Sequence, residues 1–242
     1  MTDKSKDSPF NEKERNLTFY KDGYTIASRE VTDFHSLTPL FKGMQSQYSA
    51  ISQLTQSFAA RTQQQNKPIA CEKGCSWCCY QPVYMTTQEA LLIYEYIIQT
   101  CNQQQLNDIR NKSEKKLKKT KGLAEAKKQN IIHPCAFLSD GACSIYSVRP
   151  MACRIYLSSS KDSCKRKYDN PGNKDIYPVL FDFLLKAGKY TNEGFVAFLK
   201  GNGRILEELT IEEFMVKLFK HPDFYKEWLQ KDHFDTTNNT KA

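Results

Sequence analysis

Nine cysteines, all of them between residues 71 and 164, constrain this chain more than any other feature of its sequence. Four of them fall between residues 71 and 79, and the flanks, residues 1–70 and 165–242, contain none. A secreted disulfide scaffold is more often shorter, with an even number of cysteines spread along the chain. In a reducing cytosol, thiols concentrated in this way indicate a metal site rather than disulfides.

Eight of the nine cysteines are candidate metal ligands, because thiolates are soft donors that bind zinc and iron–sulfur clusters. Their close spacing lets short loops fix much of the ligand geometry before a metal arrives. The candidates are Cys71, Cys75, Cys78, Cys79, Cys135, Cys143, Cys153 and Cys164. The ninth, Cys101, falls outside any ligand spacing, and we expect it to be a core thiol.

The adjacent pair Cys78 and Cys79 bears on how the thiols are shared. Neighbouring side chains of an extended backbone point to opposite faces, so the two thiols are expected to face different groups. Two arrangements follow from this. Either two four-thiolate sites form, or one site forms and leaves spare thiols for a redox or substrate role.

Three further side chains are candidates for support of the metal site. Arg149 and Arg154 flank Cys153, and their guanidinium groups could offset the negative charge of a thiolate site. Surface salt bridges are the alternative role for this pair. Tyr146 is expected either to pack or to donate a hydroxyl hydrogen bond into the site. His133 is the only histidine placed to be a ligand.

Outside the cysteine-rich segment, apolar residues recur mostly at helical spacing. The sequence predicts a mainly α protein with a single helical domain over residues 16–230, a disordered N-terminus over 1–15 and a disordered tail over 231–242. The cysteine motif occupies residues 71–164 of that domain. Capping boxes at Thr86–Glu89 and Thr210–Glu213 mark two helix starts. The predicted helices cover residues 38–61, 90–100, 179–186, 193–200 and 211–220.

Asp-Gly pairs predict two β-hairpins, because these residues tolerate the positive φ angles of a two-residue turn. The first is a short N-terminal hairpin over residues 17–27 with its turn at Asp22-Gly23. The second turns at Asp140-Gly141, which would bring Cys135 and Cys143 towards each other.

The net charge of +8 comes almost entirely from residues 110–128, which carry a net charge of +7. This run predicts a solvated, Lys-rich helix or helix pair, with a break at Gly122. It lacks the interleaved aromatic residues of a single-strand binding platform, which argues against nucleic acid as a partner. No apolar run is long enough to span a membrane and no secretory signal is visible, so we expect a cytoplasmic protein.

The cysteine motif resembles the YkgJ-type cysteine-cluster family, also called CxxCxxCC proteins and described as zinc- or iron-chelating. The first half of the match is Cys71, Cys75, Cys78 and Cys79, followed by Thr87 and Glu89. The second half comprises Cys135-Ala136-Phe137-Leu138, Cys143-Ser144-Ile145-Tyr146, Arg149-Pro150 and Cys153-Arg154. One departure is the first gap, where three residues stand in place of the family's two.

The resemblance implies that Cys75, Cys78, Cys79, Cys135, Cys143 and Cys153 are the metal-linked positions. Family members are often labelled iron–sulfur oxidoreductases, and the motif is similar to that of flagellin lysine-N-methylase. We therefore expect an iron–sulfur cluster held by thiolates, with a redox or cluster-dependent enzymatic role. The alternatives are a Zn²⁺-stapled module that binds a protein partner, and a relative of the protein-lysine methylases.

Overall fold

The structure, a computed structural model, describes residues 11–72 and 74–230. It is mainly helical, as the sequence predicts. The helices of the described chain are α1 (Glu12–Glu30), α2 (Thr38–Gln64), α3 (Thr87–Thr100), α4 (Gln103–Thr120), α5 (Glu125–Lys128), α6 (Met151–Ile155), α7 (Lys161–Asp169), α8 (Asp182–Gly201), α9 (Ile211–Lys220) and α10 (Phe224–Gln230). Among them, none is long and apolar enough to cross a membrane.

Four short strands form two antiparallel pairs in the described chain. Strand β1 (Tyr84–Thr86) pairs with β4 (Glu208–Thr210), so that Tyr84 lies opposite Thr210. Strand β2 (Leu138–Ser139) pairs with β3 (Ala142–Cys143). The β2–β3 hairpin is the second one that the sequence predicts, with positive φ at both turn residues, Asp140 and Gly141. The β1–β4 pair has no counterpart in our sequence predictions.

The predicted N-terminal β-hairpin over residues 17–27 is wrong, because this segment forms the middle of α1. Gly23 serves close helix packing rather than a turn: a Cβ atom there would overlap the main-chain carbonyl of Thr191 in α8. Gly194 of α8 lies in the same way against the carbonyl of Tyr20. The two glycines let α1 and α8 approach backbone to backbone.

Other helix boundaries also differ from the predictions. Residues 179–200, predicted as two helices, form the single helix α8 from residue 182 onward. Residues 12–15, assigned to a disordered N-terminus, belong to α1, whereas residues 1–10 and 231–242 lie outside the described residues. The predicted break at Gly122 is confirmed, since this residue has φ +75° and separates α4 from α5.

Both predicted capping boxes are confirmed, and each directly follows a strand of the β1–β4 pair. The Thr86 backbone amide and hydroxyl donate to one oxygen of Glu89, at 2.9 and 2.8 Å. Thr210 donates to Glu213 in the same way, at 2.8 Å for both bonds. Because β1 and β4 are paired, α3 and α9 begin in the same region of the molecule, and the first turn of each contacts a cysteine-bearing loop.

Replacing Gly23 by Ala tests the close α1–α8 contact. Alanine favours a helix over glycine by about 1 kcal/mol, but overpacking costs about 1–3 kcal/mol, so we expect a net loss of stability in urea unfolding. The matched control is Gly201→Ala in α8, where a Cβ meets no atom within 4 Å. Equal stability of the two variants would contradict the contact.

Candidate metal centre

Seven of the eight candidate thiols line one cavity of about 770 Å³. They come from the two cysteine-bearing segments and are Cys71, Cys75, Cys78, Cys79, Cys135, Cys143 and Cys153. All nine cysteines of the chain are free thiols. Cys164 is buried on α7 and is not among the residues that line the cavity, nor is Cys101. The structure therefore brings most of the predicted ligands together without disulfides.

The first segment reaches the cavity through a turn and a short 3-10 helix. The Cys75 amide donates to the Glu72 carbonyl at 3.0 Å, and Gly74 has φ +90°. Cys78 and Cys79 lie in the 3-10 turn Trp77–Tyr80 and not in an extended backbone. The expectation that they face opposite directions is wrong for this reason, since both line the cavity.

The second segment is tied to the first by its main chain. The Cys135 amide donates to the Cys79 carbonyl at 2.7 Å, which places the two cysteines next to each other. The β2–β3 hairpin then brings the chain back, so that Cys143 lies opposite Leu138 and lines the same cavity as Cys135. The predicted approach of Cys135 and Cys143 across the hairpin thus has its structural basis in the Asp140-Gly141 turn.

Cys153 is positioned by a buried carboxylate, Glu89, which the sequence identifies as a capping-box residue and as part of the cysteine motif but not as a support for Cys153. Glu89, 2% exposed, accepts from the amide of Met151, the first residue of α6, at 2.7 Å. The same oxygen accepts from the Tyr48 hydroxyl at 3.3 Å. One side chain therefore caps both α3 and the short helix that carries Cys153. The capping-box signature is visible in sequence, but its second partner lies 62 residues away.

A second buried carboxylate joins the two cysteine segments to the Lys-rich helix. Glu212 and Lys116 form an ion pair at 3.0 Å, with exposures of only 2% and 3%. Lys116 also donates to the Gln81 carbonyl at 3.4 Å, just after the first segment. Glu212 accepts from the Ala136 amide at 3.4 Å, next to Cys135. The sequence analysis predicted a solvated lysine face for this run and missed its one buried lysine.

Burial keeps most of these thiols protonated. It raises the pKa of Cys135 to about 12 and holds the pKa of Cys153 well above its usual value. The pKa of Cys143 is also raised by burial. Cys78 is the exception: the Cys79 thiol donates a hydrogen bond to its sulfur, which lowers the pKa of Cys78 and raises that of Cys79. A bound cation would be needed to make the other thiols thiolates.

The predicted supporting residues take different positions. Arg149 lines the cavity, its Nε atom is buried without a hydrogen-bond partner in the described part of the chain, and its charge lowers the pKa of Cys78. Tyr146 is 62% exposed and lies at the cavity. The guanidinium carbon of Arg149 lies over the Tyr146 ring, 3.7 Å from the ring centre. Arg154 is not among the lining residues; it stacks on Tyr48 and donates to the Arg149 carbonyl at 3.0 Å. Arg154 thus braces the loop that presents Arg149.

The thiols surround a volume and do not converge on one point. Within residues 11–72 and 74–230, no three His, Cys, Asp or Glu side chains lie close enough together to hold one ion. The donor set, however, consists of soft sulfur atoms, which suits zinc and iron–sulfur centres. His133 is not among the cavity-lining residues, and its Nδ1 lies 3.1 Å from the Pro134 carbonyl. Metal binding would therefore draw thiols inward from the walls of this cavity.

Comparison with known proteins gives one match. Residues 70–172 match a family model named CxxCxxCC, whose description is "Putative zinc- or iron-chelating domain". No curated protein and no solved structure matches the chain. The match covers the cavity-lining thiols and supports metal binding by this part of the chain.

Removing Lys116 tests the buried ion pair. Lys116→Met leaves the Glu212 carboxylate buried without its cation, which typically costs about 3–5 kcal/mol. We expect a loss of that size in urea unfolding, and partial recovery when Glu212→Gln is added. Lys115→Met removes an exposed lysine of the same helix and should change stability by less than about 0.5 kcal/mol. A Lys116 variant as stable as this control would contradict the pairing.

The pKa of Cys78 can be followed by alkylation of metal-free protein, because iodoacetamide modifies thiolates. A lower pKa gives more thiolate at a given pH, so Cys78 should be modified at lower pH than Cys143. Arg149→Gln should move the modification of Cys78 to higher pH, whereas Lys115→Gln should not. Modification of Cys78 and Cys143 at the same pH would contradict the hydrogen bond from Cys79.

Proposed function

We propose that the thiol-lined cavity of this chain, whose residues 70–172 match the CxxCxxCC family model, holds an iron–sulfur cluster with a redox or cluster-dependent enzymatic role. The observation that carries the proposal is the arrangement of seven thiols around a single cavity of about 770 Å³. Such a cluster, when bound, supplies one-electron transfer at a potential set by its surroundings.

The number and spread of the thiols favour a cluster over one zinc ion. A structural zinc site is closed by four ligands at one point. Here more than four thiols line the cavity, and no three in the described chain meet at one point. A cluster distributes its ligands over several iron atoms, so thiols set apart around a cavity are suited to it.

The charges of the cavity also support this proposal. Arg149 is the cation that lines it, and its buried Nε has no acceptor among the described residues. Thiolate ligands would place negative charge beside this guanidinium, and the guanidinium would in turn raise the potential of a cluster. Tyr146 leaves an exposed aromatic edge at the cavity, where a protein partner that exchanges electrons could approach.

The proposal requires a reducing compartment, such as the cytoplasm, where thiols stay free. The zinc-stapled module and the protein-lysine methylase remain predictions of the sequence. Neither is favoured by a contact in the cavity, and both can be checked with the same preparation. Stoichiometric zinc would indicate the first, and methyl-donor binding in calorimetry would indicate the second.

Anaerobic purification tests the proposed cluster. We expect brown protein that contains iron and acid-labile sulfide and shows broad visible absorbance. Cys153→Ser should remove most of the colour and iron, because this thiol lines the cavity. Cys101→Ser, which changes a thiol away from the cavity, should keep both. A colourless wild-type protein with stoichiometric zinc would overturn the cluster.

A further inference from the structure

Four exposed lysines of α4 are neighbours on the helix and form a surface that we call the lysine stripe. Its members are Lys112, Lys115, Lys118 and Lys119. Each is three or four residues from another member, which is the spacing at which the side chains of an α-helix adjoin. The same helix buries Ile109, Ser113 and Lys116, so the stripe is presented by an element that is anchored in the fold.

The charge of the lysine stripe is not compensated within the described residues. None of its four ammonium groups forms an ion pair there, and the ion pairs of this segment belong to Lys116 and Lys128 instead. Elsewhere an exposed lysine is matched with a carboxylate four residues away, as Lys165 is with Asp169 at 2.5 Å. Glu114 is the only carboxylate between residues 110 and 121. Because like charges at helical spacing destabilise a helix, the stripe carries a repulsion that an acidic partner would relieve.

The lysine stripe lies beside the thiol-lined cavity. Lys112 donates to the Leu138 carbonyl at 3.3 Å, and Leu138 is the residue that pairs with Cys143 across the β2–β3 hairpin. One turn along α4, Lys116 donates to the carbonyl of Gln81, which lines the cavity. A protein seated on the stripe would therefore lie close to the thiols.

The segment that follows the stripe reaches the cavity as well. Glu125 of α5 accepts a hydrogen bond from the hydroxyl of Tyr84, which is another lining residue. Lys128 of the same helix pairs with Glu213 in the first turn of α9, at 3.7 Å. These contacts fix the position of the positively charged segment relative to the cavity along its length.

The stripe offers charge but little apolar surface. None of the large apolar or aromatic side chains that are exposed in the described chain falls within residues 103–128. Small interfaces that depend on charge are typical of weak electron-transfer encounters, in which complementary charges speed association. A surface for single-stranded nucleic acid would need aromatic side chains on which bases stack. An acidic protein that binds briefly is the partner that suits these features.

We propose that the lysine stripe is the docking surface for a small acidic protein that carries electrons to the cluster. The carrier is oxidised by one electron as the cluster is reduced by one, and no bond forms or breaks. The electron transfer rests on the proposed function, whereas the docking of an acidic protein does not. Salt should weaken the docking, because exposed charges are screened over about 8 Å at physiological ionic strength.

Binding of oxidised plant-type ferredoxin, an acidic iron–sulfur protein, to the full-length protein tests the docking. We expect calorimetry to show binding at low ionic strength that is lost at high ionic strength. Lys115→Glu combined with Lys118→Glu should weaken it about tenfold or more. Neither of these side chains forms an ion pair or a hydrogen bond with a described residue, so the fold should be kept, as circular dichroism would show.

The matched control is Lys13→Glu combined with Lys21→Glu, which reverses two exposed lysines of α1 and changes the net charge by the same amount. This variant should bind ferredoxin nearly as well as the wild type. Equal affinities of the two double variants, or no binding by the wild type, would overturn the docking surface. Duplex DNA that binds more tightly than ferredoxin at the same ionic strength would indicate a nucleic-acid surface and would also overturn it.

The rate of cluster reduction separates the docking from the cluster. In stopped-flow measurements on anaerobically purified protein, reduced ferredoxin should reduce the Lys115→Glu, Lys118→Glu variant about tenfold more slowly than the wild type at low ionic strength. Dithionite, a small reductant that needs no docking surface, should reduce both at similar rates. Equal rates with ferredoxin would overturn the proposal. A colourless protein would overturn the proposed function and the electron transfer, while the binding measurement would still decide the docking.

Discussion

Two buried carboxylates, Glu89 and Glu212, hold the cysteine-bearing loops in place. Each lies in the first turn of a helix, and each accepts a backbone amide from a loop that carries a thiol: Glu89 takes the amide of Met151 and Glu212 that of Ala136. Because a buried charge without a partner costs free energy of folding, the contacts of these two carboxylates stabilise the positions of the loops. The positions of the thiols thus depend on the helices beneath them.

The walls of the cavity that results bring the Arg149 guanidinium next to thiols, most of which burial keeps neutral. Burial keeps Cys135 and Cys153 protonated, while Arg149 brings a positive charge to the same walls. The buried Nε of this guanidinium has no acceptor among the described residues. Thiolates bound to a metal would place negative charge next to it, so the charge of this cavity agrees with the metal-chelating domain that residues 70–172 match.

The parts of the fold that the sequence predicted are those fixed by neighbouring residues. The capping box at Thr86–Glu89 and the turn at Asp140-Gly141 are complete within four residues, so their geometry can be read locally. Asp22-Gly23 carries the same local signal as the second turn, but the carbonyl of Thr191 requires the glycine for a different reason. The cysteines identified the site by their chemistry alone. Its supports, such as the Lys116–Glu212 pair, join elements distant in the chain and leave no short motif.

The pairing of β1 with β4 also sets the limits of what can be separated from this molecule. The family match ends at residue 172, whereas the strand opposite Tyr84 begins at Glu208 and the partner of Lys116 is residue 212. A fragment of residues 70–172 would keep the cysteines of the cavity. It would lose β4, the strand that pairs with β1, and Glu212, the counter-charge of the buried Lys116. The cysteine-rich segment is therefore not an independent folding unit in this protein, because β4 and α9, which follow it in the chain, support its structure.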